Sequence, residues 1–209
     1  MLMDLAGLLN KYGITPRGII HIGAHDGAEY ADYKRMGVPN VLMFEPQPHL
    51  AQHLRTMCAA DPSVIVEQLA VGEMPGVMDM FIETANKGMS SSLLKPKLHL
   101  EQYPWITFNS TIQVNVVSMD SYFFDKKVSL YNVINMDIQG YELQALRGAG
   151  SILGKLDAVY TEVNRAELYE GCGQVEELDT LLKLHGLSRV ETNWAGETWG
   201  DALYVRKYS

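Results

Sequence analysis

The stretch that decides the fold runs Arg17-Gly18-Ile19-Ile20-His21-Ile22-Gly23-Ala24-His25-Asp26-Gly27, with Val41-Leu42-Met43-Phe44-Glu45-Pro46 following it. A short apolar run enters a glycine turn, and Ala28 to Met36 then sets Tyr30, Tyr33 and Met36 on one helical face. Gly37 stops that helix, and Val41 to Phe44 has the unbroken apolar character of a buried strand. From His49 to Ala60, Leu50, Leu54, Met57 and Cys58 repeat at i, i+4, i+7 and i+8, which predicts a second helix. Val64-Ile65-Val66 opens a third strand, expected to reach about Val71. Sequential strands separated by helices imply an open α/β sheet with parallel strands.

Outward from this unit the pattern continues less regularly. Leu5, Leu8, Leu9 and Tyr12 fall at helical spacing ahead of the first strand. Val77 to Ile82, Ile112 to Val117, Tyr131 to Ile138 and Leu156 to Val163 read as further strands. A helix is expected over about Tyr141 to Arg147, ended by Gly148 and Gly150, and a strongly amphipathic one over Val175 to His185, ended by Gly186. Ser188 to Thr192 and Ala202 to Arg206 are candidates for a terminal antiparallel pair, with Trp194 and Trp199 in the loop from Asn193 to Gly200. Between Glu83 and Thr111 the periodicity fails, and a stretch this long without regular structure is read as a lid or insertion at 83–111 within a single domain spanning 1–209.

Composition narrows the function classes. The chain has 209 residues, 47% of them hydrophobic, which is enough for one substantial core. A formal net charge of -8 speaks against a nucleic-acid or anionic-membrane partner, since both need basic patches. No apolar run approaches the roughly 18–20 residues that span a bilayer. Met1 to Tyr12 carries Asp4 and no basic leader, so no signal peptide is expected. The two cysteines, Cys58 and Cys172, have neither disulfide-framework nor metal spacing, and the chain reads as cytoplasmic.

The turn itself has chemistry. A strand that feeds a glycine turn and a helix brings backbone N–H groups close to a ligand. Glu45 stands near the roughly 20-residue offset from the turn at which an acid reaches ribose hydroxyls, and a carboxylate can accept from both. The glycines form G-x-x-x-G, Gly23 to Gly27, and lack the third glycine of the dinucleotide fingerprint. That favours a methyl donor, which has no pyrophosphate, over NAD. A purely structural alternative is a glycine turn that lets strand and helix pack.

Several ordered blocks then carry a resemblance. They are His21-Ile22-Gly23-Ala24-His25-Asp26-Gly27, Phe44-Glu45-Pro46, Ala70-Val71-Gly72, Ser91-Ser92-Leu93, Val117-Ser118-Met119-Asp120, and Asn135-Met136-Asp137-Ile138-Gln139-Gly140-Tyr141-Glu142 with Leu146, Gly148 and Ala149. In this order they resemble the FkbM family of S-adenosylmethionine-dependent methyltransferases. The resemblance implies a Rossmann-like, seven-stranded class I methyltransferase sheet with a C-terminal antiparallel hairpin. It also implies O-methylation of a hydroxyl on a sugar or natural-product small molecule. The cofactor-binding positions it suggests are His21, Gly23, Ala24, His25, Gly27, Glu29, Glu45, Pro46, Ala70 and Asp137. Two positions depart from the family pattern. His21 stands where many methyltransferases of this fold carry an acid toward the donor's methionine end, and Glu29 or Asp137 is the alternative source of charge. Gln139 replaces the acid of the D-x-E-G step.

Asp137 is the leading catalytic candidate, because it ends a core strand on the edge where open α/β sheets bind ligands; capping the next helix is the structural alternative. Glu142 is a second catalytic candidate or a first-turn acid favoured by the helix dipole. Ser91, Ser92, His99, Glu162 and Asn164 are substrate candidates, and Tyr103, Trp105, Trp194 and Trp199 are aromatic ones. Asp137, Glu162 and Asn164 offer oxygen ligands for Mg²⁺, although scattered donors favour a polar role without metal. The expected acceptor is a small-molecule hydroxyl; self-association into a homo-oligomer is left open. A nicotinamide-dependent oxidoreductase and a non-catalytic donor-binding protein are the competing readings.

Overall fold

A computed structural model describes residues 2–207; Met1 and the last two residues lie outside this range. The order begins α1 (Leu5–Lys11), β1 (Ile19–Ile22), α2 (Tyr30–Arg35), β2 (Val41–Phe44), α3 (Pro48–Met57) and β3 (Val64–Glu67). It continues with β4 (Ala70–Val71), β5 (Gly76–Glu83), α4 (Leu98–Gln102), β6 (Phe108–Val117), α5 (Met119–Tyr122) and β7 (Val133–Met136). Then come α6 (Glu142–Arg147), α7 (Gly150–Leu153), β8 (Ala158–Asn164), α8 (Val175–Leu184), β9 (Leu187–Ala195) and β10 (Trp199–Arg206).

Seven strands form one sheet in the order β3-β2-β1-β7-β8-β10-β9. The first five are parallel, and β10 runs antiparallel to both β8 and β9. This is the Rossmann-like seven-stranded sheet with a C-terminal antiparallel hairpin that the resemblance implies. Every residue of β1, β2 and β7 is buried, because helices cover both faces. On one face Ile20, Leu42, Ile134 and Val159 pack with Leu146 and Leu178 from α6 and α8. On the other, Ile19, Met43, Val133 and Tyr160 pack with Leu5, Leu9, Tyr33 and Leu54 from α1, α2 and α3.

The structure corrects or completes the element reading in four places. The strand expected over Val64 to Val71 is two strands, since β3 ends at Glu67 and β4 joins a different sheet. β3 is an edge strand with Ile65 half exposed. The strands expected at Val77 to Ile82 and Ile112 to Val117 pair with each other in a separate three-stranded sheet, order β4-β6-β5, and not in the main sheet. Gly150 begins α7 instead of ending the preceding helix, and the supposed loop from Asn193 to Gly200 is mostly strand, with Trp194 on β9 and Trp199 on β10. The segment that follows β5 reaches the carboxyl ends of β1 and β7, through Lys87 to His25 and Ser92 to Gln139, and this positions the site.

Candidate active site

At the end of β1 the chain turns through Gly23, whose φ of 83° lies in the left-handed region. A Cβ there would stand 2.0 Å from the Asp137 carbonyl oxygen, so glycine is what lets the ends of β1 and β7 meet. Gly27, with φ of 78°, packs on α3, where a Cβ would meet Met57 Cε at 2.4 Å. Between them His25 adopts φ of 49° and its ring Nε2 bonds the Lys87 carbonyl oxygen at 2.9 Å. That bond ties the turn to the segment after β5.

A cleft opens beside this turn, with about 530 Å³ of empty space including its open mouth. Its walls are largely apolar, from Ile22, Phe44, Leu69, Val71, Met80 and Leu93, with Gly23, Pro46 and Ala70 at close approach. Glu45 is the buried acid of this wall. Its two oxygens accept the backbone N–H groups of His25 and Gln47, each at 2.9 Å, which fixes the carboxylate against the turn. Burial pushes the Glu45 carboxyl above the usual range, and the two N–H groups oppose that shift.

A second, larger cavity of about 1050 Å³ lies on the other side of Asp137. Aromatic rings of His99, Tyr103, Trp105 and Trp199 line it, together with Glu162 and Leu2. The rings support one another: Trp199 Nε1 donates to the Tyr103 hydroxyl at 2.9 Å, and His99 packs at 5.3 Å from Tyr169. Burial lowers the His99 proton affinity, so it is a neutral ring here. Asp137, Gln139 and Met89 border both cavities. The junction is therefore a carboxylate and an amide at the carboxyl end of β7.

Residues 21–188 match the family model of the methyltransferase FkbM domain. The chain belongs to this family. Across 159 residues the FkbM domain is 28% identical to the 2-O-methyltransferase NoeI of Sinorhizobium fredii, over 73% of this chain and 65% of that protein. The chain thus spans less than two thirds of that relative's length. Among solved structures, a methyltransferase FkbM from Methylobacillus flagellatus superposes with TM-score 0.58 at 16% identity, over 90% of this chain and 43% of the other. The magnesium protoporphyrin IX methyltransferase of Synechocystis, solved with bound S-adenosylmethionine, gives 0.51 at 10% identity over 97% and 76%. The ribosomal protein L11 methylase of Lactobacillus delbrueckii gives 0.53 at 13% over 98% and 77%. These three likenesses establish the fold.

Against this geometry the FkbM-domain residues singled out in the sequence divide into two groups. Gly23, His25, Glu45, Pro46, Ala70, Ser91, Ser92 and Asp137 line the first cleft, and His99, Glu162 and Asp137 the second. The others lie elsewhere. His21 points to the α1–α2 face, edge-on to Tyr33 at 5.7 Å, and burial keeps it neutral. Glu29, 4.0 Å from the His21 ring, lines a separate cleft between α1 and α2. Ala24 is core, and Gly27 serves the α2–α3 packing. Asn164 is buried behind Glu162, to which its Nδ2 donates at 3.3 Å. Glu142 borders neither cavity: its Oε1 accepts the N–H groups of Ile138 at 2.9 Å and Gly140 at 3.3 Å, stapling the loop after β7. Burial pushes its carboxyl up to about 7. Its side chain thus holds the loop after β7 and lines neither cavity.

Three contributors were not anticipated as site residues. Gln139 joins Asp137 to Glu162, Tyr169 anchors Gln139, and buried Glu83 accepts the N–H groups of Asn86 and, at 2.9 Å, Gly88 to shape the loop over the first cleft. No local periodicity flags them: Gln139 reaches Glu162 and Tyr169 across 23 and 30 residues, and Glu83 closes an irregular loop. Gln139 also stands between Asp137 and Glu162, where the proposed Mg²⁺ would have to sit, and among the described residues no group of three or more His, Cys, Asp or Glu side chains is arranged to hold a metal. No helix of the described residues is long and apolar enough to cross a membrane.

Proposed function

We propose that this chain is an S-adenosylmethionine-dependent methyltransferase acting on a hydroxyl of a sugar or natural-product small molecule. One observation carries the reading: two cavities, one apolar-walled beside the glycine turn and one aromatic-walled, meet at Asp137. The first suits the donor. Its apolar wall accepts an adenine, and Glu45 has lone pairs for the two ribose hydroxyls beyond those used by His25 and Gln47. Among the described residues no lysine or arginine lines it, which matches a ligand without phosphate and with a positive sulfur. When bound, S-adenosylmethionine supplies a methyl group already activated on a sulfonium.

The chain's own contribution is then mainly placement. Asp137 presents a carboxylate to both cavities and orients the incoming hydroxyl toward the donor side. The rings of Tyr103, Trp105 and Trp199 offer flat apolar faces of the sort that pack against a sugar ring or a polyketide surface. Residues 83–111 serve as a lid, held down by His25 to Lys87 and by the Ser92 hydroxyl to the Gln139 carbonyl at 2.7 Å, and they exclude water from the junction. The relative named a 2-O-methyltransferase supports oxygen as the accepting atom. Both cysteines are free and buried, in keeping with a cytoplasmic setting.

Calorimetry with S-adenosylhomocysteine tests the donor site, and Asp137→Asn tests the junction. We expect micromolar-range binding by the wild type and loss of most methyl transfer in the variant with its fold intact. Absence of binding, or binding of NAD(H) instead, overturns the reading.

A further inference from the structure

Gln139 makes contacts that its place in a turn does not require. It holds φ of 56°, a conformation uncommon for a side chain other than glycine, asparagine or aspartate. Its Nε2 donates to Asp137 Oδ1 at 2.7 Å and to Glu162 Oε2 at 3.0 Å, so one amide spans acids from two different strands. Its Oε1 accepts the Tyr169 hydroxyl at 3.0 Å, and its backbone carbonyl accepts the Ser92 hydroxyl at 2.7 Å. Both amide protons and the amide oxygen are thus engaged, from three directions. A glutamate at this position lacks the two donors, so only an amide closes the bridge.

The two bridged acids differ in where they look. Asp137 borders both cavities, whereas Glu162 borders only the aromatic-walled one. We propose that Gln139 is a positioning residue that holds Asp137 and Glu162 as one pair across the junction, and that Glu162 is the group that takes the acceptor's hydroxyl proton. This rests on the methyl-transfer reading. In the step, the acceptor oxygen forms its bond to the methyl carbon as the carbon–sulfur bond breaks. The hydroxyl proton passes to Glu162, and the sulfonium leaves as a neutral thioether.

The surroundings favour a proton acceptor at Glu162. Burial first, and then the charges of Asp137, Glu142 from α6 and Asp201 from β10, push its carboxyl well above the usual range. The other groups facing the pair are Tyr169, held protonated by burial, the buried neutral His21 of β1, and His99 of α4, which is neutral and lies across the cavity. Among the described residues no lysine or arginine lines the second cavity, so the amide donors of Gln139, with Asn164 Nδ2 at 3.3 Å from Glu162, are what favour the ionised form.

Two kinds of measurement test this. Carboxyl ¹³C NMR titration of the ligand-free protein, with Glu162→Gln to assign the resonance, reads the pair directly. The pH profile of kcat reads it during turnover. Removing hydrogen bonds to a carboxylate raises its pKa, so Gln139→Ala moves the titration and the rising limb of the profile upward by about one pH unit. Gln139→Glu, which adds a third acid, moves both further in the same direction. Glu162→Gln abolishes the rising limb while S-adenosylhomocysteine still binds. Near-UV circular dichroism identifies which variants are folded, and Gln139→Ala carries the test if Gln139→Glu does not fold. An unmoved titration and profile in a folded Gln139 variant overturn the bridge, and wild-type turnover in Glu162→Gln overturns the proton assignment. A wild type that titrates as described but binds no S-adenosylhomocysteine overturns the methyl-transfer reading instead.

Discussion

Replacing Glu142 with glutamine should make the protein more stable, and increasingly so as the pH rises. The Glu142 carboxyl is buried and uses a single oxygen, Oε1, to accept the N–H groups of Ile138 and Gly140. A glutamine Oε1 can accept the same two bonds without a charge. Burial raises the folded-state pKa to about 7 from an ordinary 4.5, so folding favours the neutral acid. A raised carboxyl pKa gives stability that is full below the unfolded value and lost as the pH climbs through the folded one. At 1.36 kcal/mol per unit, the wild type loses about 3 kcal/mol relative to Glu142→Gln between pH 4 and pH 8.5, of which about 0.7 kcal/mol is gone by pH 5. The Glu142 charge also raises the neighbouring Glu162 carboxyl, so the variant relieves that repulsion too and the difference widens in the same direction. Urea denaturation of both at pH 4, 5 and 8.5 measures it. A difference that stays flat with pH, or a variant less stable than the wild type at pH 8.5, refutes the reasoning and returns Glu142 to the list of functional acids.

Glu45→Ala is expected to weaken S-adenosylhomocysteine binding by about 10- to 100-fold, the range for losing one or two hydrogen bonds to a charged group. Calorimetry checks it, and unchanged affinity removes Glu45 from the ribose role. Gly23→Ala adds a Cβ 2.0 Å from the Asp137 carbonyl at a φ of 83°, so we expect a loss of about 3 kcal/mol and a fall in Tm of about 6–12 °C. Thermal melts decide that case, and a change within a degree or two would show that β1 and β7 can separate freely.

The site was partly legible in the sequence because its parts sit at strand ends. Glu45 and Asp137 each follow an apolar run, and that placement alone sends them to the ligand-binding edge of an α/β sheet. What failed was direction. His21 and Glu29 sit beside the turn in sequence, yet strand alternation sends His21 to the α1–α2 face, with Glu29 at the start of α2 against it. Glu142 was read by its neighbourhood to Asp137, while the tight loop between them turns its carboxylate inward onto backbone N–H groups. The two strands 77–82 and 112–117 were visible as strands, but which sheet they join depends on pairing between residues far apart.

The sequence by itself determined the alternation of strand and helix, the glycine turn after β1, and the acids that end β2, β7 and β8. These follow from periodicity and local backbone chemistry, which act over a few residues. Only the tertiary structure decided that Gly23 is glycine for the sake of β7, that residues 83–111 fold back over the turn, and that one amide, Gln139, joins Asp137 to Glu162. The reason is physical: these are contacts between groups dozens of residues apart, set by how strands order themselves in the sheet, and no local pattern in the chain encodes them.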